Sequence, residues 1–223
     1  MNRSLSFLYE NGFYTFGTHL VGSALGGVRN AFLSRMFGVR KIRIGSGAYL
    51  RGLGHIEMGE DFSAEGGLWL EAVTRYNEQV FLPRIVIGRQ VRVSRFGHIA
   101  ATHFVEIGDN VLMGSNVLIT DHNHGYYSGQ HTPPDVAPAL RPLDDSRQVR
   151  IGDNVWLGDG AIIMPGASIG AGSIIGAHSI VIGSIPSFSI AVGTPATVRK
   201  TFDFDSREWI SVLPPGSVRQ SRL

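Results

Sequence analysis

Seven residues, Thr120-Asp121-His122-Asn123-His124-Gly125-Tyr126, hold two imidazoles, a carboxylate and an amide in one short run. An imidazole titrates near neutrality, so it can take a proton from a hydroxyl and hand it on. A carboxylate nearby can orient the ring that does so, which makes Asp121 the partner of whichever histidine acts. Such a run has a plainer use as well, because Asp and Asn side chains often satisfy the backbone of a departing loop. A cluster of titratable groups where a loop leaves a rigid scaffold is nonetheless where sites tend to sit. Chemistry through cysteine is excluded, since the 223 residues contain none; that also removes a disulfide framework and any thiolate metal site.

The scaffold that must position these groups is legible in the stretch from Ile151 to Val181. In sixes it reads Ile151-Gly152-Asp153-Asn154-Val155-Trp156, Leu157-Gly158-Asp159-Gly160-Ala161-Ile162, Ile163-Met164-Pro165-Gly166-Ala167-Ser168, and so on. An aliphatic residue opens each block and a small or β-branched one stands fifth. A helical face recurs at about 3.6 residues and a simple strand at 2, so a period of six fits neither. One short strand plus one turn does fit, with Gly or Asn taking the turn conformations that bulky side chains resist. Three units close a triangular coil, and stacked coils share one core. The 29 glycines are the excess that such frequent turning demands. Coil openings recur at Ile44, Met58, Ile87, Ile107 and Ile151. The step from Ile87 to Ile107 is a coil of eighteen with two extra residues near His103 to Val105. The step from Ile107 to Ile151 leaves room for a long insertion.

These blocks resemble the hexapeptide-repeat acyltransferases, of the maltose and galactoside type and of the lipopolysaccharide, capsule and colanic-acid O-acetyltransferase type. The resemblance implies an all-β fold, a left-handed parallel β-helix of hexapeptide repeats, with an N-terminal helical segment and a protruding loop. The handedness comes from the resemblance, since parallel crossovers are otherwise nearly always right-handed. Three segments are expected: an N-terminal helical, basic segment over 1–43, the β-helix over 44–200 with a loop insertion at 125–148, and a C-terminal tail over 201–223 forming a short helix or irregular strap.

The resemblance further implies a cytoplasmic acetyl-CoA-dependent O-acetyltransferase acting on the sugar hydroxyl of a surface polysaccharide or lipid-linked glycan, with a histidine at the start of the loop as general base in a ternary complex. Matching Val117 to His124 to the family pattern selects His124, and a shift of two selects His122. Gly125 stands where the simple-sugar enzymes usually have Pro; the Asp-His-Asn-His-Gly run is similar instead to the glycan-decorating enzymes, as is Phe96-Gly97-His98-Ile99-Ala100-Ala101. A homotrimer is implied, with acetyl-CoA in a groove between subunits. Carried over by position, Trp156 and Asp159 border the thioester, Ala177 meets the pantetheine arm and Lys200 suits a phosphate; Trp156 reads equally well as a plain surface aromatic. Ile182, Gly183 and Thr197 depart from the Thr, Lys and Arg common in the sugar acetyltransferases.

Two other readings remain open. The γ-type carbonic anhydrases build a three-histidine zinc site on the same fold, and His98, His103, His122 and His124 would supply ligands. A non-catalytic assembly surface is the third. The acetyltransferase reading calls for no metal. A formal net charge of +2 without basic and aromatic interleaving argues against nucleic acid. Membrane contact is a separate expectation, resting on Arg29, Arg35, Arg40, Lys41 and Arg43 in a basic amphipathic helix, which could equally cap the end of the coil. The uncharged run from Asn11 to Val28 is broken by too many polar residues and glycines to span a bilayer. The stretch between Gly67 and Arg84 interrupts the hexads and has no assigned role.

Overall fold

The computed structural model describes residues 25–129, 131–144 and 147–212. Short parallel strands stack into three faces of a β-helix. The first face carries Arg43–Ile44, Ser63–Ala64, Arg92–Val93, Leu112–Met113, Trp156–Leu157, Ile174–Ile175 and Ser189–Gly193. The second carries Tyr49–Arg51, Trp69–Ala72, His98–Ala101, Leu118–Thr120, Ile162–Ile163 and Ile180–Val181; the third runs from Ile56–Met58 through Arg84–Ile87, Phe104–Ile107, Val149–Ile151 and Ser168–Ile169 to Ser184–Ile185.

The aliphatic residues that open the hexads point inward and stack on their equivalents one coil away. Ile87, Ile107, Ile151 and Ile169 form one such column, and Leu70, Ile99, Ile119, Ile163 and Val181 another, all of them buried. Backbone pairing between coils runs alongside: Gly88, Gly108 and Gly152 donate their N–H groups to Ile107, Ile151 and Ile169 at 2.8 Å each. The Gly-Asp-Asn turns have a packing reason. Asp153 Oδ1 accepts the Asp109 N–H at 2.8 Å, and a Cβ on Gly108 would lie 2.4 Å from that same oxygen. Asn110 and Asn154 take the left-handed conformation that closes each turn, at φ 58° and 56°.

Every excursion from the coil leaves at the corner between the second and third faces. The first coil carries two extra residues there, in a turn that includes the 3-10 segment Leu53–His55. Residues 73–83 form a second excursion, with a two-stranded hairpin of Arg75–Tyr76 and Gln79–Val80; Thr102 and His103 form a two-residue one; the long loop beginning at Asp121 is the fourth. The hairpin and the loop dock on each other. Val73, Phe81 and Leu143 share a small apolar cluster, Gln79 exchanges two hydrogen bonds with the Leu143 backbone, and the Tyr76 hydroxyl donates to the Ala139 carbonyl at 2.8 Å. The stretch without a role in the sequence is thus the support on which the loop rests.

At one end, residues 25–36 are helical and close the first coil. Leu33 is buried, Asn30 Oδ1 accepts the Ile44 N–H at 3.2 Å, Ser34 Oγ accepts that of Ile42 at 3.1 Å, and Arg29 donates to the carbonyls of Ile44 and Gly45. An otherwise exposed sheet edge is thereby satisfied. The opposite side of this helix exposes Leu25, Val28, Phe32 and Met36. At the other end the described part of the tail, up to residue 212, is strand where a short helix or irregular strap was expected. Residues 213–223, like 1–24 of the N-terminal segment, lie outside the described residues. Ala196–Asp203 and Glu208–Ser211 extend the first face as antiparallel strands, crossing the boundary expected at residue 200. Unpaired backbone on Ser189–Gly193 offers them an edge, and Phe188, Phe202, Phe204 and Trp209 pack ring against ring over it.

Candidate active site

Where the second face meets its excursions, a cleft of about 540 Å³ is lined on the coil side by Trp69, Glu71, His98, Ala100, Leu118 and Thr120, and on the loop side by Tyr76, His122, Asn123, His124 and Leu143. The loop root is held by antiparallel pairing of Asn123–His124 with Leu143–Asp144. Gly125 follows at φ 100°, where its N–H reaches the Pro142 carbonyl at 2.6 Å. The loop is knitted from within by Arg141, which donates to the Val136 and Pro134 carbonyls and to the Tyr127 hydroxyl.

Asp121 is completely buried. Its Oδ1 accepts from the Thr102 N–H at 2.9 Å, the Thr102 hydroxyl at 3.2 Å and His122 Nδ1 at 2.8 Å; its Oδ2 accepts from the N–H groups of His103 and Phe104, both at 2.8 Å. Burial by itself raises the carboxyl's pKa. The bond from His122 and the N–H donors of Thr102 and His103 outweigh that effect, so the pKa lies below its ordinary value. An ionised carboxylate only accepts, so Nδ1 of His122 carries the proton and Nε2 is left as the basic nitrogen. The His122 side chain is 14% exposed. The same Asp121 therefore satisfies backbone at a corner and holds the His122 imidazole by a hydrogen bond.

His124 lies elsewhere in the cleft wall. It is exposed, meets the Tyr76 ring edge-on at 5.2 Å between centroids, and has Nδ1 3.2 Å from the Tyr76 hydroxyl. Asp121 does not touch it through any described contact; the oriented ring is that of His122. His98 stands on the coil beside them. Burial pushes its imidazole below the ordinary value, with Glu71 pulling up and His122 adding to the lowering. His103 points away from the cleft, its Nε2 3.3 Å from Gln148 Nε2. Among the described residues no three His, Asp or Glu side chains converge as metal ligands would.

Trp156, Asp159, Ala177 and Lys200 are not in this cleft. Trp156 is half-exposed on the first face, Asp159 and Ala177 stand in turns between the first and second faces, and Lys200 is exposed on the added antiparallel strand. Asp159 has a structural task, accepting the Ser115 N–H at 2.6 Å. Missed by sequence reasoning were Trp69, Glu71 and Tyr76. The interruption expected from Gly67 onward begins only at residue 73, so Trp69 and Glu71 stand on a regular strand of the second face, and nothing in the excursion's sequence shows that Tyr76 returns to the cleft. A second concavity, of about 260 Å³ between Glu60, Asp61, Arg89, Gln90, Asp109 and Asn110, is a ridge of exposed ion pairs such as Arg89–Asp109.

Residues 148–183 match the family model described as bacterial transferase hexapeptide (six repeats). The Escherichia coli K12 protein "Putative lipopolysaccharide biosynthesis O-acetyl transferase WbbJ" is 37% identical over 186 residues, spanning 82% of this chain and 90% of that protein. Among solved structures, AntD, an N-acyltransferase from Bacillus cereus in complex with dTDP and 3-hydroxybutyryl-CoA, superposes with a TM-score of 0.58 at 20% identity, over 71% of this chain and 79% of that one. That likeness shows the fold.

The Asp121 carboxylate yields a test of stability. Its folded-state pKa lies below the unfolded value, so its stabilisation is complete above the ordinary Asp value of about 3.9 and is lost as pH falls through the lower, folded value. Asp121→Asn places an amide donor among N–H donors and is expected to cost about 1–3 kcal/mol at pH 7. Urea midpoints should separate at neutral pH and draw together below that range; equal midpoints at pH 7 would refute the role.

Proposed function

The chain belongs to the hexapeptide-repeat transferase family and is an acyltransferase; we propose that it transfers acetyl from acetyl-CoA to a sugar hydroxyl of a surface polysaccharide or lipid-linked glycan. The observation that carries the mechanism is the Asp121–His122 pair. With Nδ1 donating to a buried carboxylate, His122 presents Nε2 as a base of fixed tautomer in the cleft. Nε2 takes the proton of the acceptor hydroxyl as its oxygen attacks the thioester carbonyl carbon. Collapse breaks the C–S bond, and the imidazolium returns the proton to the departing sulfur, giving an ester and the free thiol. Asp121 stabilises the imidazolium through the same hydrogen bond. No cysteine is available for an acyl-enzyme, which favours direct transfer in a ternary complex. Geometry thus favours His122 over His124 as base, the choice that the sequence left to a shift of two residues. The O-acetyl transfer and glycan acceptor are supported by the description of the Escherichia coli relative, and acetyl-CoA as donor by the coenzyme A thioester bound in the Bacillus cereus neighbour.

Trp156, Asp159, Ala177 and Lys200 are the groups we assign to the coenzyme. They lie on the first face, its added strand and the turns that follow it, away from the corner that holds His122, so a complete site needs a second chain to bring them to the cleft, which supports a homotrimer around a threefold axis. The N-terminal helix supports contact with the anionic inner face of a membrane. Of the five basic residues expected on it, only Arg29 and Arg35 lie in the helix, while Arg40 and Lys41 follow it and Arg43 is in the first strand. Arg29 is tied to the first coil, Arg40 pairs with Glu60 and Arg43 lies 3.8 Å from Asp61. Arg35 and Lys41 remain exposed beside the apolar stripe of Leu25, Val28, Phe32 and Met36.

Supplied with acetyl-CoA and extracted glycan, the enzyme should add an acetyl group that mass spectrometry locates and mild alkali removes, as it does an ester and not an amide. His122→Ala should lower kcat by about 10²- to 10⁴-fold with the KM for acetyl-CoA little changed, while His124→Ala stays within about tenfold of wild type. The reverse ranking would return the base to His124. Light scattering should give three times the chain mass of 24.2 kDa, and a monomer at working concentration would contradict the shared site. In sedimentation with acidic liposomes, Phe32→Ser should bind more weakly than wild type; equal binding, or none by either, removes the membrane assignment.

A further inference from the structure

Three aromatic side chains occupy matching outward positions of successive coils on the second face. Tyr49 aligns with Trp69, and Trp69 with His98, in the parallel register. Stacked strands hold aligned residues about 4.8 Å apart, so the rings form a ladder, with centroids 4.7 and 5.0 Å apart. Burial does not explain it: Tyr49 and Trp69 are each 43% exposed. Trp69 and His98 also line the cleft that contains His122, so the ladder runs out of the site toward the N-terminal coils. Beyond His98 the same row turns aliphatic, through Leu118, Ile162 and Ile180.

A second row lies two residues further along each strand. Arg51 aligns with Glu71, Glu71 with Ala100, and Ala100 with Thr120. Glu71 is nearly buried; it accepts from Trp69 Nε1 at 2.9 Å and from Arg51 at 3.2 Å. The indole is thereby held in place before any ligand arrives. Ala100, between Glu71 and Thr120, leaves the space of a missing side chain beside the rings.

We infer that this ladder is a saccharide-stacking track, and that the acceptor is an oligosaccharide whose reacting unit sits at His122 while a neighbouring unit lies on Trp69 and Tyr49. The inference rests on the glycan acetyltransferase reading above and specifies its acceptor. One face of a pyranose is a sheet of C–H groups, which suits the electron-rich face of an indole or phenol. Its rim carries hydroxyls, and each Glu71 oxygen keeps a lone pair for one. On the rings themselves a nucleoside diphosphate fits less well than a neutral sugar, because the Glu71 carboxylate repels a polyanion and the Arg51 charge beside it is already paired. Arg75, the other cation lining the cleft, stands on the hairpin and not on the ladder. The coenzyme groups lie on later coils and the ladder on earlier ones, so acceptor and donor would approach His122 from opposite ends of the helix axis.

The test uses de-O-acetylated surface oligosaccharide from the source cell, offered whole and after hydrolysis to its monosaccharides, with matching nucleotide sugars as a third arm. Wild type should show a kcat/KM at least tenfold higher for the whole oligosaccharide than for its monosaccharides. Trp69→Ala should remove most of that advantage, Trp69→Phe should keep part of it, and the KM for acetyl-CoA should stay unchanged in both, with thermal midpoints reporting that each folds. Equal kcat/KM for oligosaccharide and monosaccharide, a uniform loss on every acceptor in Trp69→Ala, or preference for a nucleotide sugar would overturn the track while leaving the transferase reading intact. Transfer only to non-saccharide acceptors would overturn both.

Discussion

The site depends on one buried carboxylate. Corners of the coil rely on side-chain acceptors, as where Asp153 takes the Asp109 N–H, and the two residues added at Thr102 and His103 leave N–H groups that the interstrand ladder does not meet. Left unsatisfied, the N–H of buried Thr102 alone would cost on the order of 1–3 kcal/mol. Asp121, one coil further along, reaches back and accepts from Thr102, His103 and Phe104. Against the raising effect of burial, His122 and the N–H donors of Thr102 and His103 together hold the Asp121 pKa below its ordinary value, and the carboxylate accepts the His122 Nδ1 proton. Backbone geometry in one coil thus helps to place and charge a side chain in the next.

Insertions at a single corner follow from the same architecture. A β-helix tolerates extra residues only where they leave both the inward columns and the coil-to-coil pairing in register, because a slip of one residue would turn every core side chain outward. Here the corner between the second and third faces absorbs the hairpin, the Thr102–His103 addition and the long loop, and so their side chains gather at one place. Two of them, the hairpin of residues 75–80 and the long loop, then need each other: neither has a hydrophobic core, and Val73, Phe81 and Leu143 supply one only when both are docked. The cleft is the space these excursions enclose against the coil.

The repeat was legible because it is written in residue type. Aliphatic openings, small fifth positions and Asn or Gly in left-handed turns each follow from one steric demand, and they place Ile107, Val111, Asn110 and their equivalents where the structure has them. The His-Asp cluster was legible as a group and not in its pairing. Which of His122 and His124 faces the carboxylate depends on the direction in which the chain leaves the corner, and that is set by pairing with Leu143–Asp144, some twenty residues away in the sequence. The same limit hid the hairpin, whose side chains are ordinary until the loop lies beside them. The C-terminal strands were missed for another reason: an edge that invites pairing is a property of the whole sheet, and the sequence of residues 196–211 shows no hexad.

The two ends of the β-helix meet the same edge problem in different ways. At the C-terminal end, added antiparallel strands and a cluster of four aromatics cover it, and the apolar side chains are largely spent on one another. At the N-terminal end, a helix satisfies the open edge through polar groups, Asn30, Ser34 and Arg29, and commits Leu33 to the core. Capping an edge requires only that one face of the helix. A cap alone would favour polar residues on the other, whereas Leu25, Val28, Phe32 and Met36 recur there at the spacing of a single stripe. The polar capping face and the apolar outer face therefore answer to different constraints, and the outer one is not imposed by the fold.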